Sequence, residues 1–146
     1  VKLEMLLDEF FPQIKKLPHT AQLLESLFLY AKEENELHVH LQQGHFDLMY
    51  LKRGELQILN SFPYHNEEDF MYYLLFVMEQ LNIDRDKIEL KMSGEIEKST
   101  PLYEMAYQYV RHPKIMERNA DISYSVVLND IKAPFYSNLF NQFLCE

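Results

Sequence analysis

Glycine is scarce in this chain, 3 of 146 residues, and the positions of the three constrain the fold more than any other feature. Gly44 and Gly54 interrupt an alternating stretch from Leu37 to Tyr64, and Gly94 closes a later apolar run, Ile88 to Ser93. Glycine adopts positive φ without steric cost, so it is the residue that turns a strand tightly. In the alternating stretch, Leu37, Val39 and Leu41 take one side while His38, His40 and Gln42 take the other. Phe46, Leu48 and Tyr50 alternate in a second run, and Leu56, Ile58, Asn60 and Phe62 in a third. The links Gln43-Gly44 and Arg53-Gly54 are short enough for antiparallel hairpins, which predicts a three-strand meander.

Helical spacing dominates the rest. Leu3, Leu6, Leu7, Phe10 and Phe11 repeat at helical intervals, and Pro12 ends the pattern. Gln13 to Leu17 reads as a short edge strand ended by Pro18. Thr20 is placed to N-cap a helix from Ala21 to about Glu33, with Leu23, Leu24, Leu27, Phe28 and Ala31 facing inward. After the meander, Asn66 is a cap, and Glu67, Glu68 and Asp69 suit the positive end of the helix that follows. Its stripe is Phe70, Leu74, Val77, Met78 and Leu81. Ile88, Leu90 and Met92 predict a fourth strand. Thr100 and Pro101 open another helix, with Leu102, Met105, Ala106, Tyr109 and Val110 inside. Ile122 to Leu128 reads as a fifth strand, and Pro134 opens a last helix holding Phe135, Leu139, Phe140, Phe143 and Leu144.

The expected class is α/β with a mixed sheet: three meandering strands, then alternating helices and strands. This order resembles the ribonuclease H-like fold, with the Phe70 to Leu81 helix as the crossover that a parallel strand pair requires. Five segments carry a closer likeness: Leu59-Asn60-Ser61-Phe62, Asp69 to Phe76, Met92 to Lys98, Pro101-Leu102-Tyr103 and the tail Asn138 to Glu146. On these the chain resembles the C-terminal half of an uncharacterised bacterial family, a domain of unknown function with an actin-like ATPase fold. The resemblance spans most of Thr20 to Glu146, so residues 1–19 are expected to end a preceding subdomain and 20–146 to form the ribonuclease H-like domain. Val1 stands where methionine would, which reads as a fragment or processed chain whose missing N-terminal part could carry function.

The actin-like resemblance implies ATP held between two such halves. In active members the first hairpin of this half carries an acidic residue and glycines that hold phosphate. The corresponding turn here is Leu41-Gln42-Gln43-Gly44-His45, with one glycine and no acid. An adenosine motif with paired glycines follows the fourth strand in active members. Here it reads Ser93-Gly94-Glu95, with a carboxylate in place of the second glycine. The last helix often has a small residue facing the base, where this chain has Asn138-Leu139-Phe140. Gly44, Ser93, Gly94 and Glu95 are therefore the degenerate nucleotide-site positions. They lack the clustered glycines that let backbone amides approach a phosphate.

Charge and composition exclude other classes. A formal charge of −9 repels phosphate backbones, so nucleic acid is not an expected partner. No apolar run reaches the roughly 18 residues of a membrane helix, and the N-terminus has no signal-peptide pattern. The one cysteine, Cys145, allows no internal disulfide or CxxC site and fits a reducing, cytoplasmic setting. It has no basic neighbour to activate it as a nucleophile.

His38 and His40 share a strand face, and His45 and Asp47 follow the turn. That pattern admits a zinc or iron site, or simply two histidines on a polar face. Asp47, Glu95 and Glu97 admit acid–base chemistry or read as solvated groups, and Arg111 and His112 read as helix-end charges. Phe70, Tyr72, Tyr73 and Phe76 are richer in aromatic rings than one buried face needs, which leaves an interface and a sandwiched helix both open. The expectation is a non-catalytic protein with no resident cofactor or metal that works through a protein partner or self-association. The alternative is a divergent nucleotide-binding protein that requires an N-terminal half.

Overall fold

A computed structural model describes residues 2–13, 17–31, 35–118, 120, 122–132 and 134–141. Five strands form one mixed sheet of order β3-β2-β1-β4-β5. The strands are β1 Asn35–Gln42, β2 His45–Lys52, β3 Glu55–Pro63, β4 Glu89–Gly94 and β5 His112–Ile115. The first three are an antiparallel meander, while β4 runs parallel to β1 and β5 parallel to β4. The meander and the α/β class are as the sequence predicts.

The two hairpin glycines do the expected backbone work. Gly44 has φ +80°, and Arg53 and Gly54 have φ 53° and 76°, the positive pair of a tight type I′ turn. A bulge between Tyr50 and Leu51 shifts the β2–β3 register, so Leu56 lies opposite Leu51 rather than continuing the phase of Ile58 and Phe62.

Helices cover both faces of the sheet. On one face lie α3 Glu67–Gln80 and α4 Pro101–Tyr109, packed on Leu37, Val39, Leu41, Phe46, Leu48, Leu90 and Met92. Phe70 and Leu74 are fully buried there. Both caps of this layer form: the Asn66 side chain accepts from the Asp69 amide, and Thr100 from the Tyr103 amide, with Pro101 first in the helix. The other face carries α2 His19–Tyr30, whose Leu23 and Leu27 pack on Met49 and Leu51, and the short α5 Ser137–Asn141.

Several expectations are corrected. The fifth strand is His112–Ile115 and not Ile122 to Leu128; Val126–Asp130 is a 3₁₀ turn, and Val126 and Val127 are each 81 % exposed. An alternating run that pairs with no described strand stays solvated. His112 is thus a strand residue, and Pro113 is tolerated because β5 pairs with a single neighbour, β4, in the described sheet. Pro18 rather than Thr20 occupies the cap of α2, which ends at Tyr30. Pro134 to Tyr136 form a turn, and the last helix begins only at Ser137. Phe143 and Leu144 lie outside the described residues, as does most of the short strand expected at Gln13 to Leu17. Helix α1 Lys2–Phe10 forms as read, with Leu3, Met5, Leu6 and Phe10 exposed.

Candidate functional site

Strand alternation sorts the chemistry onto the α2 face. The odd residues of β1 enter the apolar core, so Glu36, His38 and His40 face α2 together. Their sheet partners bring more polar groups: His40 lies opposite Asp47 on β2, and His38 and His40 lie beside Lys91 and Ser93 on β4. Glu36, His38, His40, Asp47 and Ser93 are all buried. Glu36 is ion-paired with Lys91. A polar seam therefore crosses the sheet beneath α2, a costly arrangement unless its members bond one another.

Ser93 joins the two histidines of β1. Its hydroxyl oxygen lies 3.0 Å from His38 Nε2 and 2.8 Å from His40 Nδ1. One hydroxyl proton cannot serve both rings, so Ser93 donates to one and accepts from the other. His38 Nδ1 is buried without a hydrogen-bond partner. An orphaned N–H is the rarer fault, which favours His38 donating through Nε2 and keeping a bare lone pair at Nδ1. Burial, then the nearby His40 and Lys91 charges, lowers the His38 pKa to about 3. Burial also lowers His40 to about 4, against the opposing pull of Asp47. Both rings are neutral at physiological pH. A cavity of about 40 Å³ beside His38 is lined by Glu36, Lys91, Ser93, Leu23 and Leu27, enough for about one water molecule.

A second cluster forms at the β1–β2 hairpin end. Asp47 is fully buried. One carboxylate oxygen accepts from the Ser61 hydroxyl of β3, and the other lies 3.0 Å from His19 Nε2. The His19 side chain is 52 % exposed. His45, two residues before Asp47 on the same strand face, sets its ring edge-on to His19 with centroids 6.2 Å apart. One donor atom from each of His19, His45 and Asp47 lies within 4.8 Å of the other two. The sequence pattern groups His38 and His40 with His45 and Asp47; the structure sends both His38 and His40 to Ser93 instead and supplies His19 from α2. His19 precedes the meander by a whole helix, and no local spacing marks it.

The nucleotide-site positions come together at one end of the sheet. Leu41 pairs with Gly94, so the Gln43-Gly44 turn and the Ser93-Gly94-Glu95 segment are neighbours. The amides of the segment after β4 are otherwise engaged. The Gly94 amide donates to Pro134, the Glu95 amide to Leu41, and the Ile96 amide to Gly94. Gly94 has φ +85°, and a Cβ there would lie 2.0 Å from the Leu41 oxygen, so the strand pairing itself demands this glycine. Glu95 is exposed and bears on the half-buried Tyr64 hydroxyl, whose pKa is raised by burial first and then by Glu95 and Glu67. Leu139 is exposed, and Phe140 packs edge-on against Tyr124. A hollow of about 540 Å³ lies at the opposite end of the sheet, beside Asn35, Asn82 and Lys87. Glu97 pairs with Lys132, so it is not part of a carboxylate pair with Asp47.

A sheet of this order with helices on both faces defines the actin-like class. The match to solved structures agrees: a Bacteroides thetaiotaomicron protein with an actin-like ATPase fold and unknown function, solved at 1.85 Å, superposes with a TM-score of 0.79 at 21 % identity. The alignment covers 98 % of this chain and 51 % of that one, so the chain spans about half the length of the neighbour. The chain belongs to the family described as protein of unknown function DUF3822, whose model matches residues 1–112. The Asn138 to Glu146 tail, which also suggested the resemblance, lies beyond that match. No curated protein matches the sequence. Among the described residues, no helix is long and apolar enough to cross a membrane.

Proposed function

We propose that this chain is a non-catalytic lobe of actin-like fold that acts in the cytoplasm through protein–protein contacts. The observation that carries the reading is the segment after β4: the amides of Gly94, Glu95 and Ile96 are each committed to a backbone carbonyl. A nucleotide would have to displace those bonds and approach the Glu95 carboxylate, and both steps oppose binding. The exposed apolar side chains of α1 and the stacked Tyr72 and Phe76 on the outer side of α3, 65 % and 47 % exposed, support contact with an apolar protein surface. The surface charge disfavours nucleic acid as that partner. On this reading Gly44, Ser93, Gly94 and Glu95 are remnants of a nucleotide site.

The second reading, a divergent nucleotide-binding protein, draws on the fold and on the meeting of the Gly44 turn with Gly94 at one end of the sheet. That reading requires an N-terminal half, so thermal unfolding of the full-length protein with millimolar Mg-ATP separates the two. The proposed function expects an unchanged melting temperature, and a clear rise would replace it with the second reading. Light scattering over a range of concentrations, with recovery of a partner from cell extract, tests the contact role directly. A strict monomer with no partner would count against it.

A further inference from the structure

We propose that His19, His45 and Asp47 form a binding site for a divalent transition-metal ion, zinc being the ion whose ligand preferences they fit best. Two imidazoles and a carboxylate are a zinc donor set, and three protein ligands leave a fourth position for water or an incoming group. Tetrahedral zinc holds its N and O donors about 3.3 Å apart, so donors already within 4.8 Å close onto an ion by small side-chain rotations. The burial of Asp47 points the same way. Its carboxylate has no exposure, and its ion-pair partner among the described residues is an imidazole rather than a lysine or arginine. A buried carboxylate needs a compensating positive charge, and a metal ion supplies a larger one than a half-exposed histidine.

The surroundings are built for the same task. Ser61 holds the far oxygen of Asp47, which leaves the near one aimed at the histidines. Metal-ligating carboxylates are commonly oriented by such an outer hydrogen bond. The half-exposed His19 gives an ion a way in from solvent. One term opposes: His19 begins α2, whose positive end disfavours a cation. That opposition is small beside three metal–ligand bonds. The site stands on its own geometry, whether or not the chain binds a nucleotide or a protein.

The test uses chain purified without a polyhistidine tag, stripped with chelator and titrated with zinc chloride in competition with a chromophoric chelator. The expected result is one zinc per chain, not displaced by equal concentrations of magnesium. Cobalt(II) in the same site should give the visible absorption of a tetrahedral centre. His19→Ala and His45→Ala should each abolish saturable uptake while keeping the circular dichroism of the stripped parent. Ser61→Ala should retain the stoichiometry with affinity lower by about 10-fold or more, and the exposed His65→Ala should change nothing. His19 is half exposed at a helix start, so its variant serves even if His45→Ala fails to fold. No saturable uptake, or equal affinity in parent and His19→Ala, overturns the site.

Discussion

At the scale of single residues, the three glycines separate into two kinds. All three have positive φ, yet a Cβ on Gly44 or Gly54 would meet nothing within 4 Å, whereas one on Gly94 would collide with the backbone of Leu41. Gly44→Ala should therefore cost only the left-handed strain, about 1–2 kcal/mol. Gly94→Ala adds a clash that only backbone movement relieves, and roughly 3 kcal/mol or more is expected. Urea unfolding of the two variants checks the ranking; equal losses would refute it. The turn role of Gly44 and Gly54 was readable because the φ requirement is local. The role of Gly94 was not, since the atom it avoids belongs to a strand more than one crossover away.

At the scale of elements, β1 carries the chemistry, and its polar side is the measurable part. His38 has Glu36 and His40 beside it on its own strand and Lys91 and Ser93 on β4. Its pKa falls from the ordinary 6.5 to about 3 in the folded chain. Between those values the unfolded chain binds a proton that the folded chain refuses, so stability is complete above pH 6.5 and declines as pH falls towards 3. From pH 7.5 to pH 5 the loss through this one ring is about 2 kcal/mol. Denaturant melts at the two values should show it, and His38→Gln should remove that share of the slope; an unchanged slope would rule the effect out. The alternation that put His38 and His40 on one face was plain in the sequence, as were the Asn66 and Thr100 caps, because both are short-range. What each histidine bonds was not, because Ser93 and His19 arrive from other elements. The exchange of Ile122 to Leu128 for His112–Ile115 has a similar cause: Pro113 looks like a break until the strand is known to lie beside only one neighbour in the described sheet.

For the whole molecule, the arrangement of layers explains why fold and function were unequally legible. The order of strands and helices determines a three-layer sandwich, and periodicity reports that order. The polar seam between sheet and α2 depends on how distant segments meet, and a spacing rule sees only the part that lies along β1. The position of β1 has one more consequence. It sits between an antiparallel partner that follows it by a tight turn and a parallel partner that arrives much later; His40 and Ser93 are 53 residues apart. The meander can zip up from neighbouring residues, but β4 must wait for α3 to carry the chain back, and such distant closures are slow. Assembly should thus proceed in two stages, with hydrogen exchange during refolding protecting the β1–β2 amides before those of β4 and β5. Simultaneous protection across the sheet would contradict that sequence of events. During the interval, the β1 edge that later receives β4 is bare, and this is the moment when the chain is most exposed to pairing with another copy of itself.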